Sequence, residues 1–208
     1  MKLYFARHGQ SIGNLNRVHQ NADTPLSELG ISQAKELAKR FKSIPLDLIL
    51  TSHFERAKNT AEIVAKQTKV KLEITELLRE IKRPSEIEGK TTSDNIVFSI
   101  KEQIKSNLHD PTWHYSDEEN TYDLINRAHE FIQTLNQRSE TNILAISHSN
   151  FIGAVMGVII LGDQLTPQLF KYMEDNIWLH NTGITVLDNS ENRWHLVTWN
   201  DNAHLGNL

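Results

Sequence analysis

Two arginines and two histidines in this sequence stand where short apolar segments give way to polar ones. Arg7 and His8 directly follow one apolar stretch, His148 follows another, and Arg56 comes soon after a third. Arginine presents a planar fork of donors that matches phosphate oxygens, and a helix N-terminus close by adds unpaired N–H groups and a positive dipole. These residue types have the chemistry of an anion site.

The elements that must bring these side chains together alternate between strands and helices. The spacing of apolar residues predicts a helix over 27–42, capped by Ser27, and an apolar helix over 151–161. The four residues from Ser52 to Glu55 have a capping-box pattern, which opens another helix and places Arg56 in its first turn. Apolar runs of strand length lie at 2–6, 46–50, 70–74, 143–146, 183–187 and 194–199, the last two as a hairpin or near neighbours.

This alternation predicts an α/β fold, a three-layer sandwich in which a mainly parallel sheet carries helices on both faces. A chain of 208 residues can bury one sizeable core, so residues 1–208 are expected to form a single domain. Residues from about 82 to 120 interrupt the alternation of strands and helices with prolines, charges and one helix containing Val97 and Ile100. We interpret this region as an insertion over the sheet edge and the active site.

Ligands in open α/β sheets bind at the carboxyl ends of the strands. Arg7, His8, Arg56 and His148 each follow such a strand end, Arg56 through a capped helix start. The four side chains are therefore expected near one end of one sheet.

The composition excludes several other kinds of site. A formal net charge of −4 argues against binding to nucleic acid or to an anionic membrane, which both need a basic face. The chain has no cysteine, which removes disulfides, thiol catalysis and thiolate metal sites. The N-terminus lacks the apolar stretch of a secretory signal, and the run 151–161 is well short of the ~20 residues that span a membrane. A cytoplasmic location is expected.

The segment Arg7-His8-Gly9-Gln10-Ser11-x-x-Asn14 resembles the signature of the histidine phosphatase superfamily, in its phosphoglycerate-mutase-like branch. An isolated R-H-G is weak evidence, but matching segments in the right order are specific. Ser11 and Ser149 stand where the acid phosphatase and phytase branch has Arg and Asp, which disfavours that branch. The resemblance extends to Thr51-Ser52-x-x-x-Arg56-Ala57, to Leu78-Arg79-Glu80, to Ser147-His148 and to the closing strand pair, and covers nearly the whole chain.

The resemblance implies a metal-independent phosphomonoesterase that hydrolyses a small phosphorylated metabolite through a phosphohistidine. His8 would be the nucleophile, and Glu80 would give a proton to the leaving oxygen. No metal and no cofactor is expected, because two arginines and a cationic His148 can neutralise a phosphate dianion without magnesium. The residues implied to bind the phosphate are Arg7, Asn14, Arg56, His148 and Ser149.

Two parts of this interpretation leave alternatives open. The acid could also be Glu76, Glu86 or Glu88, which lie close to Glu80 in the sequence. The segment Ile87-Glu88-Gly89 stands where family members often carry an aromatic residue before Glu-Gly.

A second group of polar residues could suggest a metal site. His109 and His114 precede the acidic run 117–119, but their spacing matches no metal-binding pattern. The sequence instead predicts a solvated acidic turn that leads into a helix near Thr121.

Two other functions compete with the phosphatase. The true mutases of the family are longer and hold a second acid group of their substrate with extra basic residues, for which Lys82, Arg83 and Lys90 are the only obvious candidates. A catalytically idle module that binds phosphorylated ligands is the other alternative, although such a module needs neither a nucleophile nor an acid. Neither the physiological substrate nor the oligomeric state follows from the residues.

Overall fold

The computed structural model describes residues 1–191, 193–206 and 208. Within them the strands are β1 (Lys2–Arg7), β2 (Leu48–Thr51), β3 (Leu72–Ile74), β4 (Asn142–Ser147), β5 (Ile184–Ser190) and β6 (Arg193–Asp201). The helices are α1 (Ile12–Asn16), α2 (Glu28–Phe41), α3 (Glu55–Thr68), α4 (Asn95–Ser106), α5 (Thr121–Asn136), α6 (Ser149–Leu161) and α7 (Pro167–Asn176).

The strands form one sheet in the order β3-β2-β4-β1-β5-β6. The pairs β3–β2, β2–β4 and β4–β1 are parallel, whereas β5 runs antiparallel to both β1 and β6. The predicted mainly parallel sheet with a closing hairpin is confirmed. Because β1 and β4 are parallel neighbours, their carboxyl ends meet, and Arg7 lies opposite Ser147 in the register.

Side chains along each central strand alternate between two apolar layers. Leu3 and Phe5 of β1 pack in the layer with α5 and α6, while Tyr4 and Ala6 pack in the layer with α2 and α3. Strands β2 and β4 alternate in the same way. Helices therefore cover both faces, which confirms the three-layer α/β sandwich.

Some local predictions were wrong in detail. Helix α3 begins at Glu55 with Phe54 as an N-cap that makes no side-chain bond, so the predicted capping box is absent from this described helix start. The Ser52 hydroxyl instead accepts from the Phe54 N–H at 3.1 Å and lies 3.0 Å from a ring nitrogen of His148. Helices α1 and α7 had not been anticipated from the sequence.

The region 82–120 has an apolar cluster of its own, in which Ile87 packs with Val97 and Ile100 of α4. Its acidic turn is solvated only at Asp117, so the prediction of a solvated turn was wrong for Glu118 and Glu119. Glu118 and Glu119 are only 7% and 8% exposed. Glu118 accepts hydrogen bonds from two backbone N–H groups and Glu119 pairs with arginines, which compensates for the loss of water.

Within the described residues, no helix is both long enough and apolar enough to cross a membrane. The same part of the chain contains no grouping of three or more His, Cys, Asp or Glu side chains suited to a metal ion.

Candidate active site

His8 lies in the loop that follows β1, at the carboxyl end of the sheet. Its own N–H donates to the Ser147 carbonyl at 2.9 Å, which ties the loop to the end of β4. The next residue, Gly9, passes so close to the start of α2 that a Cβ would lie 2.4 Å from the Gly30 carbonyl oxygen. Only glycine fits there, and this contact explains why the histidine is followed by one.

Two contacts determine which nitrogen of His8 carries the proton. Nδ1 lies 2.7 Å from the Gly9 carbonyl oxygen, which can only accept, so Nδ1 is the donor. Nε2 lies 3.2 Å from Arg56 Nε, an obligatory donor, so Nε2 is the acceptor. The His8 side chain is 3% exposed. A buried imidazole thus presents an unprotonated Nε2 toward an arginine.

Arg56 reaches His8 from the first turn of α3, as the sequence predicted. It is 2% exposed and donates from Nη1 to the Asn21 carbonyl at 2.9 Å. Thr60, one turn further along α3, donates to the Arg56 carbonyl and accepts from the Gly9 N–H. The guanidinium also lies 5.0 Å from the centre of the Phe54 ring, which favours the cation. Arg56 is therefore not the exposed helix residue of a surface ion pair.

Arg7 and His148 each have one buried side-chain nitrogen without a hydrogen-bond partner among the described residues. Among the described residues, neither Arg7 Nε nor His148 Nδ1 forms a hydrogen bond, although both atoms are buried. Arg7 Nη1 donates to the Leu179 carbonyl at 2.6 Å. The His8 and His148 rings are 5.0 Å apart between centroids. Because buried polar groups are rarely left unpaired, these two atoms are suited to a ligand with several acceptor oxygens.

Burial and mutual repulsion shape the charges of this cluster. Burial, Arg56 and Arg7 hold the pKa of His8 well below its usual value, and burial with Arg56 does the same to His148. Burial lowers the pKa of Arg56 to about 10, and that of Arg7 is lowered as well, mainly by burial. These lowered pKa values favour uncharged histidines beside charged arginines at neutral pH, and a cationic His148 in the phosphate complex stays a prediction.

Glu80 lies in the loop after the 3-10 turn Glu76–Leu78. It is close enough to raise the pKa of both Arg7 and Arg56. Its Oε1 accepts from its neighbour Ile81 N–H at 3.0 Å, and its Oε2 accepts from the Asn150 N–H in the first turn of α6 at 3.4 Å. Of the acidic residues considered from the sequence, Glu86 and Glu88 are exposed.

Asn14 belongs to α1, where its side chain closes a capping box with Ser11. Asn181 donates to Asn14 Oδ1 at 3.4 Å and to the His8 carbonyl at 2.9 Å, which links Asn14 to the histidine loop. Ser149 is the first residue of α6, beside His148. The structure thus brings all seven residues singled out from the sequence to one end of the sheet.

Other residues at the site were missed by sequence reasoning. Asn181 comes from the segment before β5, and its position follows from the pairing of β5 with β1, which has no local signal. Thr60 could have been noticed one turn after Arg56 on α3. Phe54 stacks edge-on with His148 at 5.2 Å and also meets Arg56.

A cavity of about 350 Å³ opens beside Phe54 and Asn21, the two neighbours of Arg56. Its size is within the range of small-molecule sites. Lys82 and Arg83 on its wall are balanced by three acidic residues. The charged and polar lining residues are His19, Gln20, Asn21, Asp23, Lys82, Arg83, Ser85, Glu88 and Asp117.

Comparison with known proteins places this arrangement in a family. Residues 3–202 match the family described as histidine phosphatase superfamily (branch 1). A probable phosphoglycerate mutase, GpmB, from Proteus mirabilis is 26% identical over 226 residues, which cover 100% of this chain and 96% of the relative.

Two solved structures have the same fold. YhfR from Bacillus stearothermophilus superposes with a TM-score of 0.82 at 27% identity, over 98% of both chains. A mutant of the phosphoserine phosphatase from Entamoeba histolytica, in complex with phosphoserine, has a TM-score of 0.73 at 26% identity, again over 98% of both chains.

Proposed function

Because the chain belongs to branch 1 of the histidine phosphatase superfamily, we propose that it is a phosphomonoesterase that hydrolyses a small phosphorylated metabolite. The observation that carries this proposal is the state of His8. Its proton is held at Nδ1, and its free Nε2 faces a buried arginine that can bind the phosphate group under attack. A module that only binds phosphate needs no such nucleophile.

The phosphate would be bound by the side chains that converge on His8. Arg7 Nε and His148 Nδ1 supply unpartnered buried atoms, and Arg56 supplies its guanidinium. A dianion between these groups relieves the repulsion between the two arginines and raises the pKa of His148, so that His148 can become charged when substrate binds. Asn14 and the start of α6 at Ser149 complete the proposed phosphate site.

The proposed reaction has two steps. His8 Nε2 attacks phosphorus as the ester P–O bond breaks, and protonated Glu80 gives its proton to the leaving oxygen. Water then attacks the phosphohistidine while the Glu80 carboxylate takes a proton from it. Inorganic phosphate leaves, and both residues return to their starting states. Positioning and charge stabilisation by the arginines carry most of the catalysis, as is usual for phosphoryl transfer.

The charges around the cavity favour a phosphatase over a mutase. Lys82 Nζ lies 2.9 Å from an Asp117 oxygen, and Arg83 Nη2 lies 3.1 Å from a Glu174 oxygen. Two of the three cations considered for a second acid group of a substrate, Lys82 and Arg83, are thus engaged in ion pairs. The phosphoserine bound by the Entamoeba relative indicates the size of ligand that we propose here.

Other parts of the interpretation stay predictions. Residues 1–208 are proposed to form one domain with 82–120 as an insertion near the active site. A cytoplasmic location is also still a prediction.

Hydrolysis of 4-nitrophenyl phosphate in the presence of a chelator tests the proposal. We expect turnover that is insensitive to the chelator and an acid-labile phosphate on His8 after rapid quenching. A panel of phosphorylated metabolites then ranks substrates by kcat/KM. Absence of turnover with every substrate, or turnover that the chelator abolishes, would contradict the proposal.

A further inference from the structure

Glu80 has no regular secondary structure of its own to hold it, since it lies between two short 3-10 turns. Proton donation in a transition state needs a fixed geometry, and an error of about 1 Å can cost a large part of the rate. Some other part of the protein must therefore fix this loop.

The backbone before Glu80 is bound at three successive carbonyls. Arg127 of α5 donates from Nη1 to the carbonyls of Leu77 and Arg79, at 2.7 and 2.8 Å. The Ser147 hydroxyl donates to the Leu78 carbonyl at 2.7 Å. Each of these donors belongs to an element of the core, so the loop is anchored to the sheet and to α5.

The backbone after Glu80 is held by Glu119, which both donates a hydrogen bond to Lys82 and accepts one from it. The Glu119 N–H donates to the Lys82 carbonyl at 3.0 Å, and the Lys82 N–H donates to Glu119 Oε2 at 3.3 Å. Glu119 directly precedes the N-cap of α5. The loop is thus held on either side of Glu80 by residues in or next to the same helix.

Arg127 and Glu119 form a bidentate ion pair, with two parallel hydrogen bonds between the guanidinium and the carboxylate. Arg127 Nε lies 2.7 Å from Glu119 Oε1, and Nη2 lies 2.8 Å from Oε2. The Arg127 and Glu119 side chains are 8% and 6% exposed, and the guanidinium lies 4.5 Å from the centre of the Phe151 ring. Arg79 adds two further bonds to the same carboxylate, at 2.7 and 3.1 Å.

A buried ion pair is weak evidence of a stabilising role, because the loss of hydration offsets most of the attraction. The geometry points to another role. We propose that Arg127 and Glu119, with Arg79, are positioning residues that hold Glu80 where it can protonate the leaving oxygen. This inference depends on the proposed function, and in it the pair acts through Glu80.

Arg127→Lys tests the inference. Lysine keeps the positive charge but lacks the guanidinium that binds the Glu119 carboxylate and the carbonyls of Leu77 and Arg79 at the same time. With an alkyl phosphate, whose leaving group needs a proton, we expect kcat to fall about tenfold or more, part of the roughly 10²- to 10⁴-fold that a general acid contributes. The burst rate with 4-nitrophenyl phosphate should change by less than about threefold, because nitrophenolate leaves without help.

A double-mutant cycle with Glu80→Gln separates positioning from general damage. If Arg127 acts through Glu80, adding Arg127→Lys to Glu80→Gln should change the alkyl phosphate rate little further. Equal slowing of both substrates by Arg127→Lys, or effects that simply multiply in the double mutant, would overturn the inference.

Two further variants serve as a control and as a replacement for Arg127→Lys. Leu135→Ala removes a core side chain from the same helix away from the loop, and it should not discriminate between the substrates. If Arg127→Lys does not fold, Arg79→Lys replaces it, because that side chain is 28% exposed and contacts the same carboxylate. Wild-type protein without turnover would overturn the proposed function itself, whereas an active wild type with an unselective Arg127→Lys overturns only this inference.

Discussion

Arg56 Nε lies 3.2 Å from His8 Nε2, so the nitrogen that would attack phosphorus accepts a hydrogen bond from the arginine that would bind the phosphate. The bond keeps Nε2 unprotonated, and the positive charge of Arg56 lowers the pKa of His8 further than burial alone. An incoming phosphate oxygen would compete for the same donor and release Nε2 for attack. The proposed nucleophile and the arginine proposed to bind the phosphate are thus hydrogen-bonded before substrate binds.

His8→Ala should lower kcat by about 10³-fold or more, because it removes the unprotonated Nε2 that faces Arg56. The fold should persist, as judged by circular dichroism, since His8 lies in a loop. His195→Ala, at an exposed position of β6, should leave the rate unchanged. Residual turnover above about one percent of wild type would remove His8 from the role of nucleophile.

Arg56→Lys should lower kcat by about 10²- to 10³-fold and also raise KM, since the fork contacts the phosphate in both the ground state and the transition state. Lysine keeps the charge but cannot reach both His8 and the Asn21 carbonyl with the same geometry. Arg40→Lys is the matched control, because the Arg40 side chain is 52% exposed. Equal kinetics for the two variants would exclude Arg56 from the phosphate site.

The His8 ring should be the neutral Nδ1-protonated tautomer at pH 6.5. Its pKa is lowered by burial, Arg56 and Arg7, whereas the bond to Asp123 raises the pKa of His114. Long-range ¹H–¹⁵N NMR spectra should show a larger charged fraction for His114 than for His8 in the same sample, with His8→Ala used for assignment. A charged His8, or one protonated at Nε2, would contradict the structure.

The same lowered pKa makes the protein less stable in mild acid. Below the ordinary histidine pKa of about 6.5 the unfolded chain binds a proton at His8 that the folded chain does not, so stability falls as the pH drops through that value. The contribution is at most about 1.4 kcal/mol per pH unit for one such histidine. Urea unfolding between pH 7.5 and 5.5 should therefore give a shallower pH dependence for His8→Ala than for wild type. An identical slope in the two proteins would argue against a neutral buried His8.

Glu80→Gln should slow the hydrolysis of alkyl phosphates severely, by about 10²-fold or more, because an alkoxide leaves poorly without a proton. Formation of the phosphohistidine from 4-nitrophenyl phosphate should be nearly unaffected, and its hydrolysis should be slow. Phosphorylated His8 should then accumulate, visible as a burst of nitrophenolate and as an acid-labile adduct by mass spectrometry. Equal slowing of both substrates without an adduct would redirect attention to Glu86 or Glu88.

Most of the fold was predictable from the sequence because its signals are local. The run of apolar residues in β1 and the cap of α2 at Ser27 depend on near neighbours alone. The parallel arrangement then brings His8 and His148 together, since each follows a strand and the strands lie side by side.

Local patterns failed where a polar side chain finds its partner far away in the chain. A glutamate before a helix looks the same in the sequence whether water or an arginine surrounds it, and Glu119 was therefore expected to be solvated. Ser52 likewise resembles a helix cap, but its hydroxyl also contacts His148, which follows the neighbouring strand β4. Asn181 had no signal, because only the pairing of β5 with β1 brings it to the His8 loop.

The sequence by itself determined which residues are proposed to carry the chemistry, and the order along the chain of most strands and helices that present them, because both depend on residue type and short-range periodicity. The tertiary structure decided which nitrogen of His8 is free, and how the loop of Glu80 is held by Arg127 and Glu119. These properties depend on distances between groups remote in the chain, and on the removal of water from around their charges.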